Sequence, residues 1–372
     1  MVGDLSLMDN SWFYKVLSER VNHFGGLFNS HAHLDRAATL KPEYLSRLNV
    51  APIDIAHKYS LRVKQDLVGD LHRDIGYTRE DLLARMEQQL KLMIEVGTRR
   101  VDSFIDVSAD EVGLTALEAA LELKEKYSKE NNPQQYIDFR VGAYPIFGFR
   151  DSVPERWDIF VEGAKRADFL GALPERDARE GHIGVIESFR RTLKLAIELG
   201  KQIHYHVDQA NDPRENLTEM LVEAVKWLGS PKTDEEGPSV WAVHVISPSA
   251  YPEERFRRLL EGLKEYNIGV ICCPSAALSM EQRREIEAPT HNSIAKVAEM
   301  LAYDIPVRIG TDNIEDAFIP TTTGSLYLEI SKLADAIRLY NPDILAKIAC
   351  GKELTSVDKE LINDALEKTR RE

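Results

Sequence analysis

His31-Ala32-His33 sets two imidazoles two residues apart, straight after the run Phe28-Asn29-Ser30. Successive side chains of a β-strand point to opposite faces, so residues two apart aim the same way. Two imidazoles on one face form a chelating pair, although two polar residues at a strand end would look the same. The distinction rests on whether later segments bring further donors to the same place. They do: His206 and His244 each lie near the end of an apolar run, and Asp312 follows the run Pro306–Gly310. Nitrogen and oxygen donors of this kind suit one divalent metal, Zn²⁺ or Fe²⁺, with a position left for water. Such a cation lowers the pKa of a bound water toward neutrality, and Asp312 could accept its proton. His204 faces the same side as His206 and competes with it on spacing alone.

Bringing these residues together requires their strands to end at one place. From residue 78 onward the chain repeats a strand-like apolar run followed by an amphipathic helix. Strands are expected at Arg99–Val107, Asp138–Ile146, Asp168–Leu173, Gln202–Asp208, Val240–Ile246, Gly269–Cys273 and Pro306–Gly310, after a first strand that carries the paired histidines. The intervening helices are expected at Arg79–Val96, capped by Thr78, then near Leu114–Tyr127, Pro154–Lys165, Ile183–Leu199, Glu215–Leu228, Pro252–Tyr266 and Ser293–Ala302. Eight βα units with no Pro/Gly/Ser linker between them predict an α/β chain folded as a single (β/α)8 TIM barrel, one domain over residues 1–372. In such barrels the reactive groups sit at the C-terminal ends of the strands, where the histidines and Asp312 fall. Residues 1–27 read as a helical lead-in broken by Gly25-Gly26. About 325–372 reads as a helical extension, with helices at Ser325–Leu339 and Asp358–Thr369 and a charged tail, Lys352–Glu372, as a solvated face. The connection over 36–77 has no strong periodicity and is expected to serve as a lid or binding loop.

Composition excludes several classes. The 61 acidic residues outnumber 47 basic ones, for a net charge of −14, and no Lys/Arg block provides a nucleic-acid footprint. No run of about 18 apolar residues or basic, apolar leader marks a membrane span or a signal peptide, so a cytoplasmic protein acting on a small molecule is expected. A barrel of this kind can form a homo-oligomer, but no seam for it is legible. Cys272, Cys273 and Cys350 lack zinc spacing and read as reduced core thiols. The four tryptophans, Trp12, Trp157, Trp227 and Trp241, read as core or lid residues.

From about residue 28 to about 330 the chain resembles the amidohydrolase superfamily, and within it the bacterial cytosine deaminase group. The resemblance is carried by His31-Ala-His33-Leu-Asp35, Asp106-Val-Ser-Ala, Tyr144-Pro145, Gly171-Ala-Leu-Pro174, His206-Val-Asp208-Gln209, His244 and Gly310-Thr-Asp312-Asn313-x-x-Asp316. It implies a mononuclear site with His31, His33, His206 and Asp312 as ligands and His244 beside the metal-bound water. Three departures mark a different substrate. Gln209 stands where the group has a proton-shuttling Glu, and an amide cannot shuttle a proton as a carboxylate does. Ile146 replaces a glutamine that reads the pyrimidine edge, and Asn313 replaces a second Asp. Asp35 and Asp208 are conceivable stand-ins for the lost carboxylate. The flanking β-sandwich of most of the superfamily is not recognisable, and Asp168–Pro174 lacks the lysine used by two-metal members.

The expected activity is therefore hydrolysis of a C–N bond in a small cyclic amidine or amide, such as an aminated heterocycle other than cytosine. Asp312 would act as base, His244 as electrostatic helper and Gln209 as a hydrogen-bonding contact, with Ile146, Asn313 and Asp316 facing the substrate. Release of an alkylamine, ring opening, or ligand binding without catalysis are the rival outcomes.

Overall fold

Short apolar runs such as Val240–His244 and Ile268–Cys272 are buried at every residue, as strands covered on both faces must be. The computed structural model, which describes residues 11–48, 50–281 and 294–371, arranges eight such strands in one parallel sheet in chain order. They are β1 (Leu27–Ala32), β2 (Thr98–Asp106), β3 (Asp138–Tyr144), β4 (Phe169–Ala172), β5 (Ile203–Val207), β6 (Val240–His244), β7 (Ile268–Cys272) and β8 (Val307–Ile309). With helices between them, they form a single (β/α)8 barrel.

The last strand meets the first through a few specific contacts. Ala32 bridges Asp312, Asn29 Nδ2 donates to Thr311 Oγ1 at 2.8 Å, and Ser30 Oγ donates to the Ile309 carbonyl at 2.8 Å. Gly310 is required at this seam: a Cβ there would stand 2.5 Å from His31 Cβ and 2.8 Å from its carbonyl oxygen. Closure thus fixes the backbone of His31 against that of Asp312.

The outer helices follow the expected logic. In Arg79–Glu95, Thr78 Oγ1 accepts from the Asp81 N–H, and Leu82, Met86, Leu90 and Met93 line the buried face. Each such side chain contributes on the order of 2 kcal/mol by leaving water. Helix Val185–Leu199 ends at Gly200, whose φ of 62° is the left-handed C-terminal conformation that glycine adopts freely.

Several expectations are corrected. The connection 36–77 is largely helical, with helices at Pro52–Lys58 and Leu61–His72 and three short 3₁₀ turns. Its periodicity is hidden because the inward face of Leu61–His72 includes Gln65 and His72 as well as Val68 and Leu71. The helix before β8 starts only at Val297; Ser293 lies outside the described residues, as does the neighbouring pair His291-Asn292. A further helix, Pro342–Ala349, is announced by Asn341, whose side chain accepts from the Asp343 and Ile344 N–H groups. The C-terminal helix Ser356–Arg371 is not merely a solvated face, since Ile362 and Asp358 are buried and Lys347 Nζ holds Asp358 Oδ2 at 2.8 Å. Trp241 is a core residue, but Trp12 and Trp227 are 73% and 82% exposed and belong to neither core nor lid. All three cysteines are free and buried.

Candidate metal centre and its pocket

β1, β5, β6 and the segment after β8 deliver His31, His33, His206, His244 and Asp312 to one end of the barrel. The rings of His31 and His33 are 5.1 Å apart, His31 and His206 4.8 Å, His31 and His244 5.5 Å, and His206 and His244 5.3 Å. Phe104 packs beneath them, 4.4 Å from His31. Two overlapping triads each keep their donor atoms within 4.8 Å of one another: His31, His206 and His244, and His31, His33 and Asp312. Nε2 of His31 and Nε2 of His33 both lie 3.3 Å from the same Asp312 Oδ1. Ligands sharing a cation at about 2.1 Å are themselves about 3–3.5 Å apart.

Backbone strain accompanies this convergence. His244 has a φ of 76°, Val245 51° and Asp312 59°, left-handed values that cost non-glycine residues roughly 1–2 kcal/mol each.

Hydrogen bonding prepares part of the set for a cation. His206 Nδ1 lies 3.4 Å from the Ala172 carbonyl, the contact that puts the proton on Nδ1 and turns the lone pair of Nε2 inward. That Nε2, both ring nitrogens of His31 and Nδ1 of His244 are buried without a hydrogen-bond partner. Burial keeps the His206 and His244 rings neutral: His244 is lowered to about 4, and His206 falls well below the usual range. Asp312 stays ionised. Burial alone would raise it, but the facing rings of His31 and His33 hold it well below the ordinary carboxylate value. Buried, unpartnered nitrogens around an ionised carboxylate fit a divalent cation. His33 is set differently. Arg36 Nη2 lies 2.6 Å from its Nδ1, and a guanidinium only donates, so the His33 proton sits on Nε2, toward Asp312. Burial and Arg36 lower this ring to about 3. Loading a cation on that nitrogen requires the proton to move to Nδ1 and the Arg36 contact to open.

Behind the histidines lies a buried charged layer. Arg36 Nη1 is 3.3 Å from Asp106 Oδ2, Tyr77 donates to the same oxygen at 2.8 Å, and His72 bridges it at 3.2 Å to Asp110 Oδ2 at 2.7 Å. Although burial opposes charging, these two carboxylates raise His72 to about 9.

A cavity of about 620 Å³ opens over the histidines. Its floor includes His33, His206, His244 and Asp312, and its walls carry Tyr144 and Ile146; the connection 36–77 forms the rim through Ile53, Gln65 and neighbours. Gln209 and Asn313 line it as well, whereas Asp316 does not. The Asp316 carboxylate instead accepts from the Phe318 and Ile319 N–H groups and from Asn313 Nδ2, so it shapes the turn that presents Asn313.

His204 is absent from both triads; it lies buried and stacked on Phe169 at 4.5 Å. Neither stand-in carboxylate reaches the cavity. Asp208 accepts from the Leu217 and Thr218 N–H groups and so caps the following helix. Asp35 accepts from the Asp106 N–H at 2.9 Å and from Tyr77. Sequence reasoning missed Glu175, a cavity residue whose Oε2 accepts from Gln209 Nε2 at 2.7 Å. It also missed Arg36 and Tyr144 as cavity residues. Pro174 at the start of the short helix Pro174–Asp177 was the available signal for Glu175, since it announces a helix at a strand's C-terminal end.

Comparison with known proteins places this barrel. No family model matches the chain. 5-Methylcytosine deaminase from Klebsiella pneumoniae, liganded with 5-fluorocytosine, superposes with a TM-score of 0.72 at 21% identity over 87% of this chain and 72% of that one. N-isopropylammelide isopropylaminohydrolase from Burkholderia multivorans gives a TM-score of 0.63 at 17% identity, covering 91% and 82%. At these identities the likeness is one of fold. An uncharacterized protein from Haemophilus influenzae is 30% identical over 291 residues, 78% of this chain and 95% of its own length. The chain thus belongs to one family with that Haemophilus influenzae protein.

Proposed function

We propose that the protein is a metal-dependent hydrolase of the amidohydrolase type that cleaves a C–N bond of a small aminated heterocycle. The observation that carries this reading is the set of unpartnered, buried imidazole nitrogens facing ionised Asp312 on the floor of a cavity of about 620 Å³. The barrel shared with a deaminase and an aminohydrolase supports it. His31, His33, His206 and Asp312 would hold one Zn²⁺ or Fe²⁺, which when bound lowers the pKa of water enough to supply a nucleophile at neutral pH.

The chain's own groups then have separate tasks. Asp312, kept ionised, accepts the proton that water gives up as its oxygen bonds to the ring carbon. Neutral His244 hydrogen-bonds the substrate and orients it. Gln209 and Asn313 offer amide contacts to the ring edge, and Ile146 packs against its face. Burial of the floor strengthens each of these polar contacts. Amine release in place of ammonia release has its own support, since Ile146 and Ile319 in the lining and Ile53 at the rim are apolar groups that would accept an N-alkyl group. On this reading the substrate is a small molecule met in the cytoplasm and the whole chain acts as one unit.

Ammonia and amine release from aminated and N-alkylated pyrimidines, triazines and pterins, measured with protein holding about one metal per chain, tests this function. Turnover of at least one ring is expected. Metal-loaded protein that releases neither and opens no ring would overturn the proposal in favour of a binding barrel.

A further inference from the structure

On the hydrolase reading above, we infer that Glu175, held by Gln209, is the carboxyl group that protonates the departing nitrogen. Three observations place it. Glu175 lines the same cavity as His206, His244 and Asp312, and its Oε2 accepts from Gln209 Nε2 at 2.7 Å. Gln209 follows the end of β5 and Glu175 the end of β4, and the pairing of these two strands brings an amide, which carries no proton, against a carboxyl group that can. The other acidic groups nearby are occupied or remote. Asp208 and Asp316 accept from backbone N–H groups, and Glu215 accepts from the Ala210 N–H and the Ser247 hydroxyl. Among the described residues lining the cavity, the remaining carboxylates are Asp312 and Glu281, and Glu281 is exposed at the rim.

Its surroundings suit the task. Burial raises Glu175 above the usual carboxylate range; the Gln209 amide and the charges of Arg179 and Arg176 pull the other way, and Asp208 adds to the rise. A carboxyl group brought closer to neutrality is a better proton donor at physiological pH. Arg176 and Arg179 are themselves engaged elsewhere, with Asp66 at 2.7 and 2.6 Å and, for Arg179, Gln65 at 2.7 Å.

The step balances. Water's oxygen bonds to the ring carbon while its proton passes to Asp312; the C–N bond then breaks as Glu175 gives its proton to the nitrogen, which leaves as ammonia or a neutral amine. The proton held on Asp312 restores Glu175 through solvent, leaving the hydroxylated ring or its keto tautomer.

Aminated and chlorinated forms of one ring separate this role from a structural one, because chloride leaves without a proton. Glu175→Gln is expected to lower the ratio of ammonia to chloride release by at least about 30-fold, while metal content per chain and Tm stay at wild-type values. The double variant Glu175→Gln with Gln209→Glu, which moves the carboxylate to the segment after β5, is expected to recover ammonia release at least about tenfold over the single variant. Ammonia release that survives Glu175→Gln, or a loss that the double variant does not relieve, overturns the assignment of Glu175 and leaves the hydrolase reading standing. A wild-type protein inert toward every ring overturns the hydrolase reading itself, and this assignment with it.

Discussion

Toward the N-terminal end of the barrel, Arg100 Nε pairs with Asp102 Oδ1 at 3.0 Å, Arg140 pairs with Glu235, and the Arg308 guanidinium lies 3.9 Å over the Trp241 ring. At the opposite end, His31, His206 and His244 keep buried ring nitrogens without partners, on backbone held at left-handed φ values at His244 and Asp312. Both ends bury polar groups and both leave some unmatched, among them Thr98 Oγ1, Gln202 Oε1 and Arg308 Nη1 at the base, but the mouth gathers its unmatched nitrogens around one carboxylate beneath a cavity. An unmatched buried nitrogen costs about 1–3 kcal/mol, and the mouth concentrates that cost at one place. Such a difference marks the mouth as the end arranged for something other than folding.

Substitutions at the two ends should therefore separate activity from stability. Asp312→Asn is expected to lower kcat at least about 10³-fold, equivalent to about 4 kcal/mol of barrier, with only a small change in Tm. A near-normal rate or a large fall in Tm would erase the contrast. At the base, Asp102→Asn should do the reverse. It leaves Arg100 without its closest partner and is expected to cost about 2–4 kcal/mol in urea unfolding, with the rate per folded molecule retained.

The smallest effect sharpens the boundary between the two regions. His72 sits behind the mouth between Asp106 and Asp110 and is raised to about 9. A histidine whose folded pKa exceeds its unfolded value of about 6.5 stabilises fully below that value and loses the contribution as pH rises through the folded pKa. Wild-type stability should thus fall by about 2–3 kcal/mol between pH 6.5 and 9.5, and Tm measured across that window in His72→Gln should lack this part of the decline. Parallel curves would show that the layer behind the histidines does not depend on this charge.

Legibility in the sequence followed the same division. The strands and most outer helices could be read because burial on one or both faces forces apolar spacing, as in Leu82, Met86, Leu90 and Met93. Spacing also pointed to His31, His33, His244 and Asp312, because strand ends in a barrel are brought to one rim, whereas the choice of His206 over His204 came from the family resemblance. What escaped was tertiary. Helix Leu61–His72 turns Gln65 and His72 inward, which breaks the apolar period that would have announced it. Glu175 and Gln209 are 34 positions apart, and only the pairing of β4 with β5 makes them neighbours. Asp208 misled for a related reason: a carboxylate next to the strand-five histidines looks reactive in sequence, yet in space it is needed to start a helix.

The residues that follow Glu175 grip the rim of the cavity. Arg176 and Arg179 hold Asp66, and Arg179 also holds Gln65, both on helix Leu61–His72. Any displacement of that helix large enough to admit a ring therefore pulls on the chain beside the carboxyl group. On the proposed reaction, substrate exchange and acid placement would share one set of joints. In the history of such a family, drift along the rim would then register as altered chemistry before it registered as altered affinity, and a new substrate would be reached most readily by changes in both segments at once.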